Sequence, residues 1–268
     1  MSSESGADEP TPCRACGGPL QVAFEVEVLG DTKATYHQCA RCHSMMALNP
    51  SWLERSYATT LYPDPDTGAL RRTLYVNRFI RRMRASGLMP RRYRSLDYGS
   101  GLGMLVALQL DRQAKAVGFD RYASPRFAQL VCGKTLPDGP FDLVTAVEVA
   151  EHLTNPVEVF STLRERLAPN GVVMLSTELY QQERWPDPSK WHYVDREHGQ
   201  HIMLFTLEGL KRAAEAAGLR HVRTFFWGRT PFLHLFVRAQ RTSPRLRLGM
   251  LAWQQFWGEV RESLDIGI

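Results

Sequence analysis

Four cysteines fall into two pairs with the spacing of metal knuckles: Cys13-Arg-Ala-Cys16 and Cys39-Ala-Arg-Cys42, with 22 residues between the pairs. Two such turns brought together present four thiolates at tetrahedral corners, the donor set of a closed structural zinc site. The intervening chain suits a small ribbon. Gly17-Gly18-Pro19 turns it after the first knuckle, VAFEVEVLG alternates like a strand, and Ala34–Gln38 supplies a partner. Disulfides are the competing use of the same cysteines. The first residues, MSSESGADEPTP, show no charged-then-apolar export pattern. A reducing, cytoplasmic setting is therefore expected, and it favours Zn2+ held by Cys13, Cys16, Cys39 and Cys42. His37 and His43 flank the second pair, but four thiolates suffice. With no open coordination position, the metal's expected role is to fold a unit of roughly 40 residues that is too small to fold alone. Cys132 is unpaired and expected to be buried.

A second kind of chemistry lies in the middle of the chain. Arg94-Ser-Leu-Asp-Tyr-Gly-Ser-Gly-Leu-Gly-Met-Leu reads as a strand, a glycine turn and a helix from about Met104 to Gln113. Gly99, Gly101 and Gly103 let the backbone approach a ligand closely, and the helix N-terminus then points at it. Alone, such a turn is equally a turn without a ligand. A second strand, Ala116–Asp120, ends in a carboxylate 17 residues after Gly103. In a doubly wound sheet both strand ends open on one crevice, where Asp120 can accept hydrogen bonds from both hydroxyls of a ribose.

The elements needed to position these groups follow along the chain. Further strands are expected at Phe141–Glu148, Gly171–Glu178, 221–227 and 232–238, with helices at 71–87, 156–167 and 206–217. The alternation predicts an α/β fold, a doubly wound, mostly parallel sheet with helices on both faces, beside the N-terminal ribbon. The expected division is a disordered tail (1–11), a zinc-ribbon module (12–50), a helical lead-in (51–93), the sheet domain (94–240) and a C-terminal amphipathic helix (241–268). Apolar residues make up 44% of the 268 and charged residues 23%, which excludes general disorder. No apolar run reaches the ~18 residues of a membrane span.

The segments LDYGSGLG, GFD, FDLVTAVEVAEHLTNP and LAPNGVVMLSTE, in that order, resemble the class I S-adenosylmethionine-dependent methyltransferases over about residues 94–240. EVAEHL, the Ser-Thr-Glu strand end and WHYVDREHGQHIMLF point to the methyltransferase-23-like branch. The resemblance implies a Rossmann-like methyltransferase sheet with an antiparallel strand near its C-terminal end. It also implies S-adenosyl-L-methionine as cofactor. Gly99, Ser100, Gly101 and Gly103 would hold its amino-acid end, Asp97 would orient the loop or the ammonium, and Arg78 or Tyr75 would reach the carboxylate. Asp120 and Tyr122 would hold the nucleoside, with Phe127, Leu136 and Asp138 as adenine walls and Glu148 bordering the site. One departure stands out. Only about 20 residues separate Asp120 from Phe141, room for one short strand where the family places a helix, a strand and an acidic loop.

Candidate bases lie after the third and fourth strands. Glu148, Glu151 and His152 are spaced i, i+3, i+4 and can face one way. They resemble the set of ubiquinone-pathway O-methyltransferases, which implies a divalent ion such as Mg2+; the alternative is that they only brace the loop. Trp185, Trp191, His192, Tyr193, His198, Gln200 and His201 follow the fourth strand, where substrate loops sit. His201 can take a proton near neutral pH, and Tyr193 can assist it; the alternative is a structural lid. His234 reads as a core histidine.

Nine arginines and no acid occupy residues 71–95, which suits either a solvated helix face or a phosphate track. The expected acceptor is a small molecule or sugar, methylated at oxygen or carbon. An RNA acceptor ranks second and a non-catalytic binding module third. No membrane partner is expected, and the sequence leaves the oligomeric state open.

Overall fold

The structure, a computed structural model, describes residues 11–59, 67–110 and 114–240. The expected C-terminal helix, and the expected tail apart from Thr11, lie outside the described residues.

The N-terminal part forms a four-stranded antiparallel sheet. Strands β1 (Leu20–Val28) and β2 (Thr32–Cys39) make a hairpin, and β3 (Met45–Ala47) follows the second knuckle. Val26 and Val28 face the interior while Glu25 and Glu27 face solvent, the period-two pattern of a half-buried strand. The lead-in supplies α1 (Leu53–Thr59) and α2 (Thr67–Ala85). Val76, Phe79, Ile80 and Met83 form the buried stripe of α2. At its end Leu88 N donates to Met83 O and Gly87 N to Arg84 O, the paired bonds of a Schellman stop.

The large sheet is built from β4 (Arg94–Tyr98), β5 (Lys115–Phe119), β6 (Cys132–Gly133), β7 (Phe141–Val147), β8 (Leu167–Ser176), β10 (Leu219–Trp227) and β11 (Thr230–Arg238). Its order is β10-β11-β8-β7-β4-β5-β6. The strands from β8 to β6 run parallel, and β11 pairs antiparallel with β8. Helices α3 (Met104–Leu110), α4 (Pro156–Arg166) and α5 (Leu207–Ala216) make crossovers. Along β8, Val173 and Leu175 pack with Phe160, Leu163 and Leu210 of α4 and α5. Val172 and Met174 pack on the other face with Phe79, Ile80 and Val106 of α2 and α3. A strand buried on both faces must be apolar at every position, and β8 is from Val172 to Leu175.

The two sheets are tied together by β9 (Met203–Leu204), two residues from the connection between β8 and α5. It pairs with β3, Met45 with Leu204 and Met46 with Met203. The knuckle cysteines Cys13, Cys39 and Cys42 share a core cluster with Phe205 and Leu210. Between β5 and β7 the chain carries only β6 and turns, with no helix among its described residues.

Candidate active site

Strand β4 and the glycine turn build the crevice floor. Gly99 N and Ser100 N both donate to Phe119 O, at 2.7 and 3.0 Å, which locks the turn against β5. Gly101 has φ +52, and a Cβ there would meet nothing within 4 Å. Beneath the turn Asp97 is buried, and its Oδ1 accepts the Thr145 hydroxyl at 2.6 Å. Burial pushes Asp97 up to about 7, Thr145 opposes the shift and the Asp120 charge adds to it.

Asp120 sits at the end of β5 with its carboxylate largely committed. Oδ2 accepts Gly101 N at 2.8 Å; Oδ1 accepts Tyr122 N at 2.8 Å and Ala123 N at 2.7 Å. A carboxylate has about four acceptor positions, so one remains for a ligand. The expected contact with two ribose hydroxyls would need a second position. Lys134 Nζ closes the loop by donating to the carbonyls of Arg121, Tyr122 and Ala123. Tyr122 is half exposed, and its ring stacks on Tyr57 of α1 at 4.3 Å. Phe127 lies over the glycine turn, Leu136 is half-buried and Asp138 is exposed. Cys132 is half-buried rather than buried.

Arg78 is exposed on α2. The Tyr75 hydroxyl is committed to Phe226 O at 2.9 Å, and its ring stacks on Trp227. The α2 arginine whose charge bears on the site is Arg72, which pulls against the raised pKa of Glu148 and of Glu151.

Glu148 follows β7 with φ +52, a conformation that costs a non-glycine residue about 1–2 kcal/mol. Ser176 holds it there: Ser176 Oγ donates to Glu148 Oε1 at 2.9 Å and accepts Glu148 N at 3.0 Å. Tyr193 OH donates to Glu148 Oε2 at 3.4 Å. Burial, then the Glu151 charge, pushes Glu148 up to about 7. Burial and the two carboxylates hold Tyr193 well above its usual range, so it stays a neutral donor rather than a base.

Glu151 is fully buried, and neither of its oxygens forms a hydrogen bond of normal geometry with a described residue. Burial pushes it up to about 7. Its Oε1 lies 3.8 Å from His152 Nε2. His152 Nδ1 meets the Tyr57 hydroxyl at 3.2 Å, and burial pulls His152 down to about 3, so it is neutral at pH 7. The His152 and His201 rings meet edge to face at 5.0 Å. Ligand atoms of Glu151, His152 and His201 lie within 4.8 Å of one another. Glu148 bonds Ser176 and Tyr193 instead, so this trio differs from the expected set of Glu148, Glu151 and His152.

The aromatic and histidine cluster after β8 is sorted by its partners. Trp191 is buried, with its Nε1 donating to Glu178 Oε1 at 3.1 Å; His192 meets Glu178 Oε2 at 3.0 Å. His198 pairs with Asp195 at 3.2 Å, and Gln200 is buried. His201 is different. Its Nδ1 lies 2.8 Å from Tyr193 O, an atom that can only accept. Nδ1 therefore carries a proton, and in the neutral ring the lone pair is on Nε2. His234 is fully buried between Thr177 O and Thr224 Oγ1. Sequence reasoning gives no site role to Tyr57, Arg72 or Asp195: Arg72 is one of nine arginines, Asp195 lies inside WHYVDREHGQHIMLF without being singled out, and Tyr57 stands in no recognisable motif.

At the knuckles, Cys13 Sγ and Cys42 Sγ are 3.7 Å apart and Cys16 Sγ and Cys39 Sγ 3.5 Å apart, with all four within 4.8 Å. Thiolates about 2.3 Å from a tetrahedral zinc stand about 3.8 Å from each other, so the donors fit that ion.

The strand order with its antiparallel β11, the glycine turn and the acid ending β5 together define a Rossmann-like methyltransferase fold with a crevice suited to a nucleoside. The chain belongs to the family described as "Methyltransferase domain", whose model matches residues 70–224. It is 31% identical over 99 residues to the ubiquinone biosynthesis O-methyltransferases of Pseudomonas paraeruginosa and Pseudomonas aeruginosa, covering 31% of this chain and 43% of each relative. The chain thus spans less than half the length of the curated relatives it matches. Among solved structures it is similar to an S-adenosylmethionine-dependent methyltransferase from Clostridium acetobutylicum. That likeness has 13% identity and a TM-score of 0.44, covering 60% of this chain and 90% of that one. A TehB-like methyltransferase from Corynebacterium glutamicum is similar at 17% identity and a TM-score of 0.41, covering 63% and 98%. The matched span excludes all four knuckle cysteines.

Proposed function

We propose that this chain transfers a methyl group from S-adenosylmethionine to a hydroxyl of a small-molecule acceptor, with His201 as general base. The observation that carries the reading is the His201 tautomer: Nδ1–H is fixed on Tyr193 O, leaving Nε2 as proton acceptor beside the neutral His152. The cofactor supplies an activated methyl on a sulfonium. The chain's own work is alignment and proton removal. Gly101 leaves open space over the turn, and Asp120 offers its one remaining acceptor position. Glu148 and Tyr193 hold each other behind the base. The O-methyltransferase relatives support an oxygen acceptor.

A zinc held by the four cysteines supports the ribbon. A divalent ion at Glu151, His152 and His201 would take the Nε2 lone pair and so exclude His201 as base; the two imidazoles and one carboxylate would suit zinc or manganese better than Mg2+. Several of the nine arginines are committed within the fold, among them Arg71, which lies 5.9 Å over the Trp227 ring. Arg94 donates to Pro140 O and lies over the Phe141 ring, and Arg72 acts on Glu148 and Glu151. That weakens a phosphate track and leaves RNA as the lesser reading.

Calorimetric titration with S-adenosylhomocysteine, followed by turnover on a panel of hydroxylated small molecules, tests the proposal. A folded, zinc-loaded chain that binds no S-adenosylhomocysteine would refute it. His201→Ala should bind as the wild type does and lose about 10²–10⁴-fold in turnover.

A further inference from the structure

The segment that carries His201 is a long connection, from the end of β8 to Leu207, with little regular structure of its own. A general base must be held within about 0.5 Å and 10–20° of its working position. An unsupported connection of this length does not hold a side chain so closely.

Its support comes from the N-terminal part. Ser56 Oγ donates to His198 O at 2.5 Å and Trp52 Nε1 to Gly199 O at 2.8 Å. Tyr36 OH donates to His201 O at 2.7 Å, across 165 residues of sequence. Ala47 N donates to Ile202 O at 3.0 Å, and β3 then pairs with β9. Thr206, the N-cap of α5, donates from Oγ1 to Cys42 O at 2.5 Å. The ribbon and lead-in therefore grip both sides of His201. Tyr36 acts on His201 itself. Its ring is fully buried and stacked on Phe24 at 4.8 Å, so its hydroxyl has little freedom to move.

We propose that the ribbon is the frame that positions the base, with Tyr36 as the positioning residue that fixes the His201 backbone so that Nδ1–H stays on Tyr193 O. This rests on the reading of His201 as general base. It gives the four-cysteine unit a part in the methyl-transfer site as well as in folding.

The test uses the full, zinc-loaded chain with 15N-labelled histidine. The wild type should show His201 as a single Nδ1–H tautomer. Tyr36→Phe keeps the ring and its packing, and should show both tautomers. Amide hydrogen exchange across residues 199–205 should speed up about ten- to hundredfold, the range a lost buried hydrogen bond gives, with β7 and β8 unchanged. Trp52→Phe, which removes the bond to Gly199 O, should do the same more weakly and serves if Tyr36→Phe fails to fold. A variant that keeps the single tautomer and wild-type exchange overturns the frame and leaves the proposed function standing. A wild type that binds no S-adenosylhomocysteine overturns the functional reading, and with it the catalytic purpose of the frame.

Discussion

Asp120→Asn separates the bracing that the carboxylate performs from the ribose contact proposed for it. Its oxygens accept three backbone N–H groups, from Gly101, Tyr122 and Ala123. That leaves about one acceptor position for a ribose hydroxyl. Asparagine has one carbonyl oxygen. Turned toward Tyr122 and Ala123, it places its NH2 group against the N–H of Gly101, donor facing donor. The turn loses the Gly101 bond, at about 1–2 kcal/mol for a half-buried bond, and keeps the two bonds to Phe119 O. The ligand loses a bond to a charged acceptor, about 1.5–3 kcal/mol, or roughly ten- to hundredfold in affinity. Urea unfolding without ligand reads the first quantity, and calorimetry with S-adenosylhomocysteine reads the second. If Asp120→Asn loses stability but binds within about threefold of wild type, Asp120 is a brace for the turn only and the ribose assignment fails.

Two glycine substitutions should diverge. Gly99→Ala puts a Cβ 2.5 Å from Val149 Cγ2 at φ +73, so it should lose about 2–4 kcal/mol of stability by denaturant titration. Gly101→Ala meets open space and should lose only about 1–2 kcal/mol, yet weaken S-adenosylhomocysteine more than its stability change explains; equal behaviour of the two would count against the crevice. Asp97, raised to about 7, keeps its proton in the native state where the unfolded chain has released it. Wild-type stability should therefore fall as pH rises from about 4 to about 7 and stay level above. Asp97→Asn should gain on wild type over that window by at most about 4 kcal/mol, and a pH-independent difference would refute the buried-acid reading. Metal analysis should find zinc that is lost on Cys39→Ser. Because β3 pairs with β9 and Cys42 O receives the N-cap of α5, stripping that zinc should lower Tm by at least about 5 °C; an unchanged melt would show the ribbon to be uncoupled.

The sheet was legible because its signals are local. A strand, a glycine turn and a helix read within a dozen residues, and β4 and β5 lie within a residue of where the pattern placed them; α3 begins at Met104 as expected, and its expected last residues, 111–113, lie outside the described ones. The start of β8 was harder. The strand was expected from Gly171, yet it begins at Leu167, and the register jumps between Phe141–Leu167 and Leu143–Val172. Pro169 and Gly171 sit in that irregularity, where sheets tolerate both. The connection after β8 resisted for a different reason. His192, His198 and His201 lie close together in one segment, and the sequence puts His201 forward without showing what sets it apart from the other two. Glu178 takes the first and Asp195 the second, while the third is held through its backbone by Tyr36. That selection depends on β9, a strand of two residues, too short to show any periodicity. Its partner β3 lies in the ribbon, outside the span that the family model matches. A strand that short gains little from its own two residues. Its partner follows the second knuckle directly, so under the role proposed for His201 the cysteines would support a base that they never meet.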